Sequence, residues 1–125
     1  MPRTSKVEAP IALDEPEIEG RYVELGGYTV GYETHKADID PAPFFRGLPD
    51  DRCQCPHWGY VLRGRIAFRY ADREEVYEAG DAYYAPPGHT PVCFAGTELI
   101  EFSSTDAHDE TSAVIRGNMQ AAGIS

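Results

Sequence analysis

The sequence predicts an all-β sandwich or barrel with one helix at its C-terminal end. Between about residues 20 and 104, short runs rich in Val, Ile, Tyr, Phe and Thr are broken by Gly, Pro and Asp at turn spacings of roughly eight to twelve residues. From Asp106 onward the apolar period lengthens from two to that of a helix. With 125 residues the chain supports one domain with a single core. It carries no internal repeat and no low-complexity segment.

Residues 1–16 hold Pro2, Pro10 and Pro16 among polar residues around Ile11-Ala12-Leu13, and read as a flexible arm. The barrel is expected over residues 17–104, and a helix packed on it or on a partner subunit over 105–125. Tyr22-Val23-Glu24-Leu25 and Tyr28-Thr29-Val30-Gly31-Tyr32-Glu33 flank Gly26-Gly27, a hairpin signal. His35 at the end of the second run is expected to be exposed. Residues 38–51 contain Pro41, Pro43 and Pro49, which prevent a regular central strand or helix. Phe44, Phe45 and Leu48 need burial, so this connection is expected to cover one mouth of the fold. After Gly64 come the strands Ile66–Tyr70 and Glu75–Glu78. A short strand then precedes the Pro86-Pro87-Gly88 corner, His89 opens the next, and Thr97–Ser103 is the last. Thr105 or Asp106 can cap the helix, whose apolar stripe is Val114, Ile115, Met119 and Ala122.

Twenty-one acids against 11 bases give a formal charge of −10, which argues against nucleic acid or an anionic membrane as the main partner. No apolar run reaches the roughly 18–20 residues of a membrane span. Residues 1–10 show no signal-peptide apolar region. The three cysteines are not spaced as a disulfide framework, and a reducing cytoplasm is the expected location.

The chemistry concentrates in Cys53-Gln54-Cys55-Pro56-His57-Trp58-Gly59-Tyr60. In an extended strand Cys53, Cys55 and His57 share one face, with Gly59 leaving room beside them; Gln54, Trp58 and Tyr60 take the other. Two thiolates and an imidazole suit zinc, copper or ferrous iron better than magnesium or calcium. A Cys53–Cys55 disulfide would close a small, strained ring, since residues two apart in a strand lie roughly 6.6 Å apart. His89, delivered by the Pro-Pro-Gly corner, is the candidate fourth ligand. Asp51 and Cys93 are further candidates, Cys93 sharing strand parity with His89. The metal set is therefore Cys53, Cys55, His57 and His89, with zinc expected and iron or copper as alternatives.

The run His57–Gly64, followed about fifteen residues later by Gly80-Asp81 and then Pro86-Pro87-Gly88, resembles the two sequence motifs of the cupin superfamily over roughly residues 20–104. More narrowly, Cys-Pro-His-Trp-Gly-Tyr-Val-Leu and Pro-Pro-Gly-His resemble a group of small single-domain bacterial cupins. The resemblance implies a cupin-like jelly-roll β-barrel in which the two motifs form adjacent strand pairs around a metal. It also implies a ligand pattern that this chain does not keep. The family's Glu position falls on His57, its two first-motif histidine positions on Asp51 and Cys53, and its last histidine position on Pro91, two beyond His89. The family's three-histidine-plus-carboxylate iron site is therefore not reproduced.

Three functions follow as expectations. In the first, an enzyme uses a Cys/His-bound metal with an open coordination position on a small molecule inside the barrel, with Tyr60 and Tyr84 as nearby polar groups. The second is a small-molecule binding or sensory cupin with a closed, structural metal, and the third a metal-free structural module. A homodimer is expected, the proline-rich arm and the apolar face of residues 107–122 covering the sheet edges.

Overall fold

A computed structural model describes residues 2–123; residue 1 of the arm and residues 124 and 125 of the helical segment lie outside the described residues. Among the described residues nine strands form two antiparallel sheets. The larger has the order β1 (Ile11–Asp14), β2 (Ile18–Leu25), β3 (Tyr28–His35), β9 (Thr97–Ser104), β4 (His57–Arg63) and β7 (Ala82–Ala85). The smaller has the order β6 (Glu74–Glu78), β5 (Arg65–Arg69) and β8 (Thr90–Cys93). Val61, Tyr83, Ala85 and Leu99 of the larger sheet pack with Ile66 and Phe68 of the smaller to form the main core.

The hairpin between β2 and β3 turns on Gly26 and Gly27, both at positive φ (61° and 85°), the backbone that a two-residue turn between twisted strands requires. β1 lies within the segment expected to be a flexible arm. Ile11-Ala12-Leu13 is just long enough to pair with β2 between Pro10 and Pro16, neither of which interrupts it. Arg21 then donates to the carbonyls of Lys6 and Ala9, so residues before β1 are held on the chain's own sheet.

The proline-rich connection folds as two short 3-10 turns, Ala42–Phe45 and Pro49–Asp51. Phe45 and Leu48 are buried with Cys53 and Cys55 against Ala107, Val114 and Ile115 of helix α1 (Thr105–Ala121). The Asn118 side-chain amide donates to the carbonyls of Phe44 and Arg46, fastening helix to connection. Ser104, one residue before the expected caps, accepts from the Ala107 N–H and starts α1. The stripe is shorter than expected: Met119 lines the cavity below the helix, and Ala122 is exposed at its end. Among the described residues no helix is long and apolar enough to cross a membrane.

Two glycines make the interior of the larger sheet. Gly31 lies under the Tyr22 ring, where an added Cβ would come within 2.7 Å of ring carbon, and Gly59 lies under the Tyr83 ring in still closer approach. The rings lie flat on the sheet and point their hydroxyls inward. Gly59→Ala is therefore expected to destabilise the protein by about 1–3 kcal/mol through overpacking. Gly117→Ala, in open space on α1, should stabilise it by up to about 1 kcal/mol. Urea unfolding of the two variants checks both signs.

Candidate metal centre

Cys53 and His89 face each other across an isolated antiparallel bridge. The Cys53 N–H donates to the His89 carbonyl at 2.8 Å, and the Gly88 N–H returns to the Cys53 carbonyl at 2.8 Å. The bridge differs from the expected continuous strand. Pro56 has no N–H to give, residues 54–56 are irregular, and β4 begins only at His57. The irregular turn brings His57 back to Cys53, with Cys53 Sγ 3.6 Å from His57 Nε2.

Cys53, His57 and His89 each offer one donor atom, and the three atoms lie within 4.8 Å of one another. Cys55 is buried nearby but stands outside this group, its thiol turned to the Pro56 carbonyl at 3.6 Å. Cys93 is buried in the cavity wall, also outside the group. Asp51 is exposed at a 3-10 turn and accepts from the Gly47 N–H. Tyr60 and Tyr84 lie on the outer face of the larger sheet, away from the cavity, because their strands present His57 and Gly59, and Tyr83 and Ala85, inward.

Hydrogen bonds decide which imidazole nitrogens are available. His89 Nδ1 is 2.7 Å from the Pro86 carbonyl, which can only accept, so Nδ1 carries the proton and Nε2 presents a lone pair. His57 Nδ1 is 2.7 Å from Ser103 Oγ; with its proton there, His57 Nε2 also presents a lone pair, toward Cys53. Imidazoles held through one nitrogen by such partners are typical of metal ligands. The 3.6 Å separation of Cys53 Sγ and His57 Nε2 matches the roughly 3.6 Å between sulfur and nitrogen on one tetrahedral zinc. The donor set fits a divalent transition metal.

Burial shapes the electrostatics. It pushes the Cys53 thiol up to about 12, so this thiol ionises when a cation replaces its proton, and it is a poor free nucleophile. Burial lowers both imidazoles to about 4, with the neighbouring His57 adding to the effect on His89, and keeps them neutral as ligands require.

The donors open into a cavity of about 310 Å³ between the sheets and α1. Its inner end holds residues that strand patterning alone did not mark. Glu33 on β3 accepts from the Tyr22 hydroxyl at 2.7 Å, and its other oxygen lies 3.1 Å from His35 Nε2. His35 is thus buried, not exposed as expected, because it turns under the sheet to reach this carboxylate. Burial would raise Glu33, but the hydrogen bonds from His35 and Tyr22 outweigh it and hold its carboxyl below the usual range. Glu101 on β9 accepts from the Tyr83 hydroxyl, and its Oε1 stands 3.9 Å from His57 Nδ1. Burial, and then the charge of Glu33, push Glu101 up to about 8. The one available signal was the pairing of Glu101 opposite Gly31 and Gly59, and pairing is read only from the register.

No family model matches the chain, and no curated protein matches it. Solved structures do. An RmlC-like cupin from Shewanella frigidimarina aligns at 16% identity over 81% of this chain and 87% of that one, with a TM-score of 0.57. KdgF from a Halomonas species aligns at 19% over 80% and 90%, with a TM-score of 0.55. A protein of unknown function from Rhizobium leguminosarum aligns at 18% over 83% and 95%, with a TM-score of 0.59. At these identities the likeness is one of fold, and this chain has the fold of the cupin superfamily.

The buried groups give the metal-free protein a defined pH profile. The folded histidines sit near 4 against an ordinary 6.5, so the stability linked to them is present above pH 6.5 and lost as pH falls through about 4. Glu101 acts oppositely: its contribution is present below about 4.5 and lost as pH rises through about 8. Thermal unfolding of metal-free protein should show the acid fall, and Glu101→Gln should flatten the decline on the alkaline side. A Glu101→Gln profile parallel to wild type would contradict the assignment.

Proposed function

We propose that this chain is a metal-binding cupin that takes a small molecule into its cavity, with Cys53, His57 and His89 as the protein ligands of one zinc ion. The supporting observation is the proton on His89 Nδ1, fixed by the Pro86 carbonyl, which turns its Nε2 lone pair toward the same point as the Cys53 thiol and His57 Nε2. The same donors suit copper or ferrous iron. Three protein ligands leave a coordination position for water or a substrate atom, the arrangement of catalytic zinc sites. Bound there, the metal would supply Lewis acidity and lower the pKa of a coordinated water. The chain's own residues do the rest. Ser103 holds the His57 ring, Pro86 holds the His89 ring, and α1 with the proline-rich connection covers the site against bulk water.

A sensory role with a closed metal sphere needs a fourth protein ligand. Cys55 is the nearest thiol in sequence, and its orientation toward the Pro56 carbonyl favours the open site instead. Elemental analysis of protein purified without an affinity tag is expected to give about one transition metal per chain. Cys53→Ser or His57→Ala should lose most of it, while Cys55→Ser should keep it. Binding should release protons and weaken as pH falls. Metal retained in a Cys53→Ser, His57→Ala double variant would rule out this site, and loss in Cys55→Ser would move the reading to the closed, structural sphere.

We also assign the partner of the chain as a second copy, docked through the outer face of the larger sheet. Tyr28, Trp58, Tyr60, Leu62, Tyr84 and Phe102 are each exposed by 36–47% there. Trp58 joins them, with its ring centroid 5.1 Å from that of Tyr84 and 6.4 Å from that of Tyr28. They leave on the order of 500 Å² of contiguous apolar surface open, near the upper end for a monomer. That is most of the roughly 800 Å² per partner that a standard interface buries. The six are uncharged, which lets two chains of formal charge −10 meet. Light scattering should give a dimer at micromolar concentration and a monomer for Trp58→Glu. A wild-type monomer would contradict the assignment.

A further inference from the structure

Glu101 is the one carboxyl of the inner cavity with an oxygen left over. Both oxygens of Glu33 are engaged, by Tyr22 and His35. Glu101 Oε2 takes the Tyr83 hydroxyl, whereas Oε1 makes no hydrogen bond among the described residues and faces the cavity beside His57. The Tyr83 ring that fixes it lies on Gly59 and stacks on Tyr77 with centroids 5.0 Å apart, so the carboxyl cannot swing away without unpacking the core. Toward the mouth the wall turns apolar, through Ile18, Ile39, Phe44, Ile115 and Met119. Arg116, the cation of the lining, is exposed on the outer part of α1.

We propose that Glu101 is the polar anchor of the ligand site, and that the cavity takes small neutral molecules bearing a hydroxyl group on an apolar body. The inference rests on the cavity being the ligand site. A hydroxyl suits Glu101 whatever its protonation, since it donates to a carboxylate and accepts from a carboxylic acid. An anionic head group can pair only with the protonated acid, and in either case it meets the charge of Glu33, which its two hydrogen-bond partners keep ionised in the same interior. The open volume, about 310 Å³, is at the lower end for small-molecule sites, which limits the body to about one ring. Bound by its hydroxyl at Glu101, such a molecule lies next to His57 and beneath α1.

The test titrates 2-phenylethanol and phenylacetate, matched in body, into zinc-loaded and metal-free protein, following amide resonances by NMR and measuring zinc content on the same samples. The alcohol is expected to bind metal-free protein at least roughly tenfold more tightly than the carboxylate, displacing the Glu101 and Ser103 resonances, whereas in zinc-loaded protein the carboxylate can take the open metal position. Glu101→Leu should weaken alcohol binding at least roughly tenfold, and Glu101→Gln, which keeps a donor and an acceptor in place, should retain it. Phenylacetate binding metal-free protein as well as the alcohol would overturn the proposal. So would displacement only of residues outside the cavity, no binding of the alcohol at about 10 mM, a Kd that corresponds to roughly −2.7 kcal/mol, or an unchanged alcohol affinity in folded Glu101→Leu. Should Glu101→Leu fail to fold, the wild-type resonance map still decides. Absence of zinc binding would overturn the metal reading alone, because the metal-free arm tests the anchor separately.

Discussion

The site depends on the backbone bridge between Cys53 and His89. Two segments 36 positions apart in sequence are tied by N–H to carbonyl bonds in both directions, and the Cys53 thiol and His89 ring are carried on that pair. The bridge sets the thiol opposite the imidazole. The corner Pro86-Pro87-Gly88 then places the Pro86 carbonyl under the same ring, and the ring's tautomer follows. His57 joins because Pro56 ends the irregular stretch and starts β4 on the correct face. The three donor atoms of the candidate site are thus positioned by main-chain geometry, the kind of support that holds ligands near a working arrangement.

The second constraint is burial of charge. Glu33 and Glu101 lie on neighbouring strands, half-buried in the wall of one cavity. Two ionised carboxylates there are costly, and the structure resolves the conflict asymmetrically. Glu33 is given two donors and stays ionised; Glu101 is given one and rises to about 8. Space for this arrangement comes from Gly31 and Gly59, which let the tyrosine rings lie against the sheet and aim hydroxyls at the acids. Gly59, two residues after His57, therefore makes room for the tyrosine that holds Glu101.

Much of the fold was legible in the sequence. Gly26-Gly27, the alternation of Ile66 and Phe68, and the change of period near residue 105 mark elements whose local chemistry agrees with the final packing. Strand β1 was hidden by the prolines on either side of it, since its pairing comes from β2 and not from its own composition. Within the site, the spacing of Cys53, Cys55 and His57 marked the stretch, and the strand period grouped all three. The irregular backbone around Pro56 brings Cys53 to His57 and leaves the Cys55 thiol on the Pro56 carbonyl. Glu33, Glu101 and His35 could not be found from spacing. They meet only because β3 and β9 are hydrogen-bonded neighbours, a long-range pairing that no local pattern encodes.

X-ray absorption at the zinc edge of the loaded protein reads directly whether one thiolate and two imidazoles converge on one metal. One sulfur at about 2.3 Å and two imidazole nitrogens at about 2.0–2.1 Å are expected, with a light atom in the remaining position. A sphere with two sulfurs, or with none, would contradict that convergence.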